Sequence, residues 1–110
     1  MAFTQKRLAG PAAMATSATD IYTTPSSPST TTIVKQIMLC NTDTVARTAT
    51  LHVAAAGSAA AGNTIFKAIS LDSNETAIFN LSLVLAAGEK ISGLATATTV
   101  TITISGIEEA

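Results

Sequence analysis

The sequence predicts an all-β chain: an antiparallel β-sandwich, jelly-roll or immunoglobulin-like, of about seven or eight strands. Three observations predict it. Residues 99–105, Thr-Val-Thr-Ile-Thr-Ile-Ser, alternate without a break, which sets Val100, Ile102 and Ile104 on one face of a strand and the hydroxyl residues on the other. Turn-forming clusters recur about every ten residues, the spacing of a sandwich or barrel. No stretch of useful length carries apolar residues at helical period. At 110 residues the chain is read as one domain.

Residues 1–19 are read as an N-terminal arm or edge strand, and residues 20–110 as a single β-sandwich domain. Within the first segment, Phe3–Leu8 is a candidate short edge strand that Gly10-Pro11 ends. Asp20–Pro25 has strand formers closed by a proline, and Ser26-Ser27-Pro28-Ser29 is loop-like. Thr30–Cys40 is the most apolar strand, with Ile33, Val34, Ile37, Met38 and Leu39 filling both faces. A run buried on both sides belongs in the middle of a sheet or beneath another subunit. Asn41–Thr44 then turns the chain, and Arg47–Val53 returns with Ala49, Leu51 and Val53 inward, so a hairpin is expected. Ala54–Gly62 is alanine- and glycine-rich without an amphipathic pattern and is read as a loop. Further strands are expected over Thr64–Leu71, Thr76–Leu85, Lys90–Ala95 and Val100–Ile107. The turns Asp72–Glu75 and Ala86–Glu89 separate the middle ones.

Composition narrows the function classes. Hydrophobic residues make up 47% of the chain, but much of that is alanine, and aromatics are only 4%. Small side chains bury little area, so a thin core and a modestly stable monomer are expected, with association supplying further burial. Six basic and seven acidic residues leave a net charge of −1 with no basic stripe, which argues against a nucleic-acid partner. Lys6-Arg7 is the one local positive pair, and Glu108-Glu109 reads as a solvated tail. No apolar run approaches membrane-spanning length, and no targeting segment is read.

Candidate chemistry is sparse. His52 is the single histidine, placed among threonines on the polar face of its strand with no neighbouring carboxylate, so an exposed strand residue is expected rather than a general base. Cys40 lies in an apolar run and is expected to be an inert buried thiol. One cysteine and one histidine do not make a zinc site. Asp72, Asn74 and Glu75 share a turn, for which turn formation is the simpler account than calcium binding. Gly57, Gly62 and Gly88 are isolated and open no phosphate loop, and the triplets at Asn74 and Asn80 carry no weight as glycosylation sites. No catalytic residue, cofactor site or metal site is assigned, and the chain is expected not to be an enzyme.

Several segments resemble a family of small tailed-bacteriophage structural proteins. They are Ile21-Tyr22-Thr23-Thr24-Pro25, the strand and polar turn Val34–Thr42, and Ala49-Thr50-Leu51-His52-Val53 with its Ala/Gly-rich loop. Leu71–Thr76, Leu85–Ser92 and the closing Val100–Gly106 complete the set. The resemblance spans about Ile21 to Ile107; its motifs are structural, and no functional residue carries over. It implies a virion component made in a bacterial cytoplasm: a capsid decoration (cement) protein or, alternatively, a tail-tip, fibre or baseplate-associated β-module for host attachment. The cement reading makes the major capsid protein and further copies of this chain, as trimers, the expected partners, with neither nucleic acid nor membrane involved. Phe3, Lys6 and Arg7 in the first segment, with Ile33 and Ile37, are the candidate contact residues. Ordinary core burial is the competing account for both isoleucines.

Overall fold

The computed structural model describes residues 3–54 and 63–110. Eight strands follow one another: β1 (Phe3–Ala13), β2 (Thr19–Thr23), β3 (Thr31–Asn41), β4 (Arg47–Ala54), β5 (Thr64–Leu71), β6 (Thr76–Leu85), β7 (Lys90–Ala95) and β8 (Val100–Glu109). They form two four-stranded antiparallel sheets, ordered β1-β8-β3-β6 (sheet A) and β2-β7-β4-β5 (sheet B). Of all sequence neighbours, only β4 and β5 pair within a sheet; every other connection crosses from one sheet to the other. That interleaved order is the eight-stranded jelly roll, which selects between the two sandwich types expected. The loop expected over residues 54–62 lies outside the described residues, apart from Ala54, which ends β4.

The crossing connections correct one expectation. β3 and β4 do not form a hairpin, because β3 pairs with β8 and β6 while β4 pairs with β7 and β5. The turn between them is held instead by Asn41, which is fully buried at the end of β3. Its Nδ2 donates to the carbonyls of Val45, Leu71 and Asp72, and its Oδ1 accepts from the Asp43 amide. One amide thereby ties together both crossings at this end of the sandwich. The polar turn was legible in the sequence, but its direction was not.

A bulge explains the doubly apolar look of β3. Inward positions are Thr32 and Val34, then Ile37, Leu39 and Asn41, so the inward parity changes between Val34 and Gln36. On β8 the inward set runs Val100, Ile102, Ile104, Gly106 without a change, and on β6 the exposed and covered residues alternate unbroken. Ile104–Gly106, Val34–Ile37 and Phe79–Leu83 therefore face one another, and the sheet fans out towards β6.

Between the sheets lie Val34, Ile37, Leu39, Leu51, Leu71, Leu85, Ile91, Val100, Ile102 and Ile104, all buried. Branched aliphatics thus build the centre, and the buried alanines Ala49, Ala54 and Ala95 only supplement it. The core is less alanine-dependent than composition implied. Strand β1 runs along β8 through Gly10-Pro11 to Ala13, with register shifts on either side of Ala9. Gly10 makes this possible: its φ is +74°, and a Cβ there would lie 2.0 Å from the Ile102 carbonyl oxygen. Residues 3–13 are accordingly an edge strand of sheet A, longer than the segment expected to end at Leu8.

Candidate assembly surface

The outer face of sheet A is organised in rows, because residues opposite one another on neighbouring strands point the same way. One row runs Gln5, Ile107, Ile33, Val84. The next, Arg7, Ser105, Gln36, Asn80, is polar, and Gln36 Nε2 donates to Asn80 Oδ1 at 3.2 Å. Beyond it lie Thr103, Met38 and Ile78, and then Thr101, Cys40 and Thr76. Lys35, at the bulge, reaches over to Ser82 Oγ at 3.0 Å. Apolar rows alternating with polar ones make a surface suited to adhesion, with hydrogen-bonding groups that give it register.

Large apolar side chains concentrate here. Phe3 is 68% exposed, Val84 61% and Ile78 54%, and all three belong to this face. Ile78 and Val84 were missed as contact candidates, although the sequence held the signal. In residues 76–85 the set that alternates with Ala77, Phe79, Leu81 and Leu83 still holds Ile78 and Val84, and only one set can face a sandwich core.

The five sequence candidates separate. Phe3, Arg7 and Ile33 come together on the outer face of sheet A, with Ile33 half-buried between Val84 and Ile107. Ile37 is a correction: it is fully buried between the sheets and offers no partner surface, because the bulge turns it inward. Lys6 pairs opposite Gly106 and turns to the rim, where its Nζ lies 3.1 Å from Glu108 Oε1.

Glu108 is likewise not a solvated tail residue. It lies on β8, and its carboxylate accepts hydrogen bonds from the Tyr22 hydroxyl and the Lys6 ammonium. These hold its carboxyl below the ordinary range, the Tyr22 bond contributing most. The Tyr22 hydroxyl also shares a 2.8 Å hydrogen bond with Thr32 Oγ1. Burial, followed by the bond to Glu108, pushes the phenol up to about 12. The cluster links β1, β2, β3 and β8 and so fastens sheet A to sheet B behind the apolar row. Elsewhere, the Lys90 and Ser92 hydrogen bonds lower Asp20, and the Arg47 guanidinium, with the Thr44 amide, lowers Asp43.

The remaining candidates take structural positions. His52 is a second correction: it is 7% exposed rather than open to solvent, and its Nδ1 lies 3.1 Å from Thr64 Oγ1 on the adjacent β5. Cys40 is half-buried on the outer face of sheet A, paired opposite Thr101 and Thr76, so it is less enclosed than expected. Glu75 Oε1 accepts from the Asp72 amide at 2.7 Å and closes its own turn. Among the described residues, no group of three or more His, Cys, Asp or Glu is placed to hold a metal ion.

No protein-family model matches the chain, and no curated protein sequence matches it significantly. Among solved structures it is similar to the Drosophila NLP core, a protein described for its pentamer formation and histone binding. The TM-score is 0.50 at 13% identity, covering 100% of both chains. The likeness extends to the fold and no further.

Proposed function

We propose that this chain is a non-enzymatic virion structural protein, a capsid decoration (cement) protein that stabilises a phage head by binding between capsid subunits. The carrying observation is the outer face of sheet A, where Phe3, Ile33, Ile78 and Val84 stand in rows between hydrogen-bonding side chains. Such a face gains by being covered, and many modest contacts repeated by symmetry add up to firm attachment. The phage-like segments from Ile21 to Gly106 support the same reading, with the major capsid protein and further copies of this chain as partners. Jelly rolls recur in viral capsids, but also in lectins and cupins, so the architecture alone does not choose.

The histone binding of the NLP core does not transfer readily. A basic partner asks for an acidic surface, and seven acidic residues against six basic ones provide no such excess. The deciding experiment is the copy number of this chain relative to the major capsid protein in purified particles. Hundreds of copies are expected. A handful would replace the head assignment with a tail one, and absence from particles would end the virion reading.

A further inference from the structure

Each sheet of an open sandwich ends in strands with unpaired backbone groups, and such edges invite pairing unless something blocks them. Three of the four edges here are blocked. β1 carries Lys6, Arg7, the Gly10 bulge and Pro11. β2 has five residues, among them Asp20, and a register shift before Tyr22. β5 carries Lys67 beside Ala68, which adopts a φ of +49° where the register against β4 breaks.

The fourth edge, β6, shares only a register shift with these, against β3 between Val34 and Gln36. It spans ten residues, Thr-Ala-Ile-Phe-Asn-Leu-Ser-Leu-Val-Leu, without a charge, a proline or a glycine. Its exposed and covered residues alternate without a break, although it carries one residue more than β3 between Phe79 and Leu83. Among the described residues it pairs with β3 alone. Its inward residues Ala77, Phe79, Leu81 and Leu83 remain half-covered, whereas those of β3 and β8 are buried.

We propose that β6 is a two-fold interface, pairing antiparallel with the β6 of a second copy of this chain about Leu81. The argument is self-complementarity, which an isologous contact requires. Centred on Leu81, the strand meets its reverse with like facing like. Asn80 lies opposite the partner's Ser82, Phe79 opposite the partner's Leu83, and Ile78 opposite the partner's Val84. Polar residues fall against polar ones, apolar against apolar, on both faces at once. Sheet A then continues across the axis as eight strands, and the half-covered Phe79, Leu81 and Leu83 gain partners.

Charge selects the same occupant. Pairing β6 with a neighbour's β1 or β5 would set the charges of those strands against an uncharged, partly apolar edge. Pairing it with itself sets no charged β6 side chain in the seam. The nearest cation, Lys35, stems from β3 and reaches Ser82 Oγ at 3.0 Å on the outer face, where the facing strand would offer only the neutral Asn80 and Ser82.

Size sets the strength. Ten residues from each β6 fall short of the roughly 20–30 residues a side of standard interfaces, so the contact is a weak one. A dissociation constant in the micromolar range, about 1–100 µM, is expected. The pairing is independent of any virion role, and it is a two-fold arrangement, distinct from the trimer that the cement reading suggested.

Sedimentation velocity of the whole chain from low to high micromolar concentration tests it. Ile78 and Val84 are more than half exposed, so substitution there spares the fold, which circular dichroism verifies. The variant I78K/V84K opposes two like charges across the axis and should raise the dissociation constant at least about tenfold. The variant I78K/V84E opposes Lys to Glu twice and should dimerise within about threefold of the parent. Within one chain the two positions lie roughly 20 Å apart along the strand, so the rescue reports contact between chains. If the lysine pair unfolds the chain, oxidative cross-linking of N80C to S82C chains in a C40S background supplies the test. A monomer throughout the range, a dimer unaffected by I78K/V84K, an unrescued I78K/V84E or absent cross-linking would each overturn the proposal.

Discussion

At Tyr22 a phenol at the seam between the sheets hydrogen-bonds Thr32 and Glu108, while Lys6 reaches the same carboxylate from the edge strand. Removing the hydroxyl in Tyr22→Phe strips two partners at once, and denaturant unfolding should show a loss of about 1–2 kcal/mol. The pH dependence has two limbs. Glu108 titrates lower folded than its ordinary 4.5, so the stability it contributes is complete above that value and lost as pH falls through the folded value. Asp20 and Asp43 act in the same direction, weakly, because neither carboxylate is buried. Tyr22 has the opposite sign. Its folded value lies above 10.0, at about 12, so its contribution is complete below pH 10 and fades as pH rises through the folded value. Melting temperatures of Glu108→Gln should fall less steeply in acid than those of the parent, and Tyr22→Phe should lose the alkaline limb. At Gly10, alanine meets both a positive φ and the Ile102 carbonyl, and a loss of about 1–3 kcal/mol is expected by thermal unfolding. This scale was the least legible from sequence. Ile33 and Ile37 looked alike, and the unmarked extra residue at Lys35-Gln36 sends one outward and the other into the core.

Strand positions were readable because alternation is a local signal, and β5, β6 and β7 begin and end where the pattern places them. Pairing was not readable. A hairpin and a crossing connection can use the same short polar turn, and what distinguishes them here is Asn41, whose partners at Leu71 and Asp72 are distant in sequence. Only the pairing shows that β1 belongs to sheet A. Leu8 and Ala9 pack against the core, and Lys6 completes the Glu108 cluster. Deleting residues 3–9 therefore strips an integral edge from β8. The truncated chain should lose at least about 2 kcal/mol in chemical denaturation, rather than merely releasing a free arm. Unchanged stability would show that residues 3–9 of β1 add little to the sheet.

Over the whole molecule, the all-β class and sandwich architecture were legible, while the jelly-roll order emerged from contacts between strands far apart in the chain. The adhesive face was half legible. Ile33 and Phe3 were singled out, but Ile78 and Val84 acquire meaning only when β6 is seen at the edge of its sheet. If copies associate, linkage ties folding to concentration: the melting temperature of the parent should rise measurably between low and high micromolar samples, and that of I78K/V84K should not. The placement of the two ends of the chain has a practical sequel. Phe3 lies directly opposite Glu109 on neighbouring strands, with α-carbons about 5 Å apart. A short linker would join them at little entropic cost, allowing a circular permutant opened in the Asp72–Glu75 turn. A fluorescent or affinity fusion at either terminus would leave from the same rim, on the side of the sandwich away from β6.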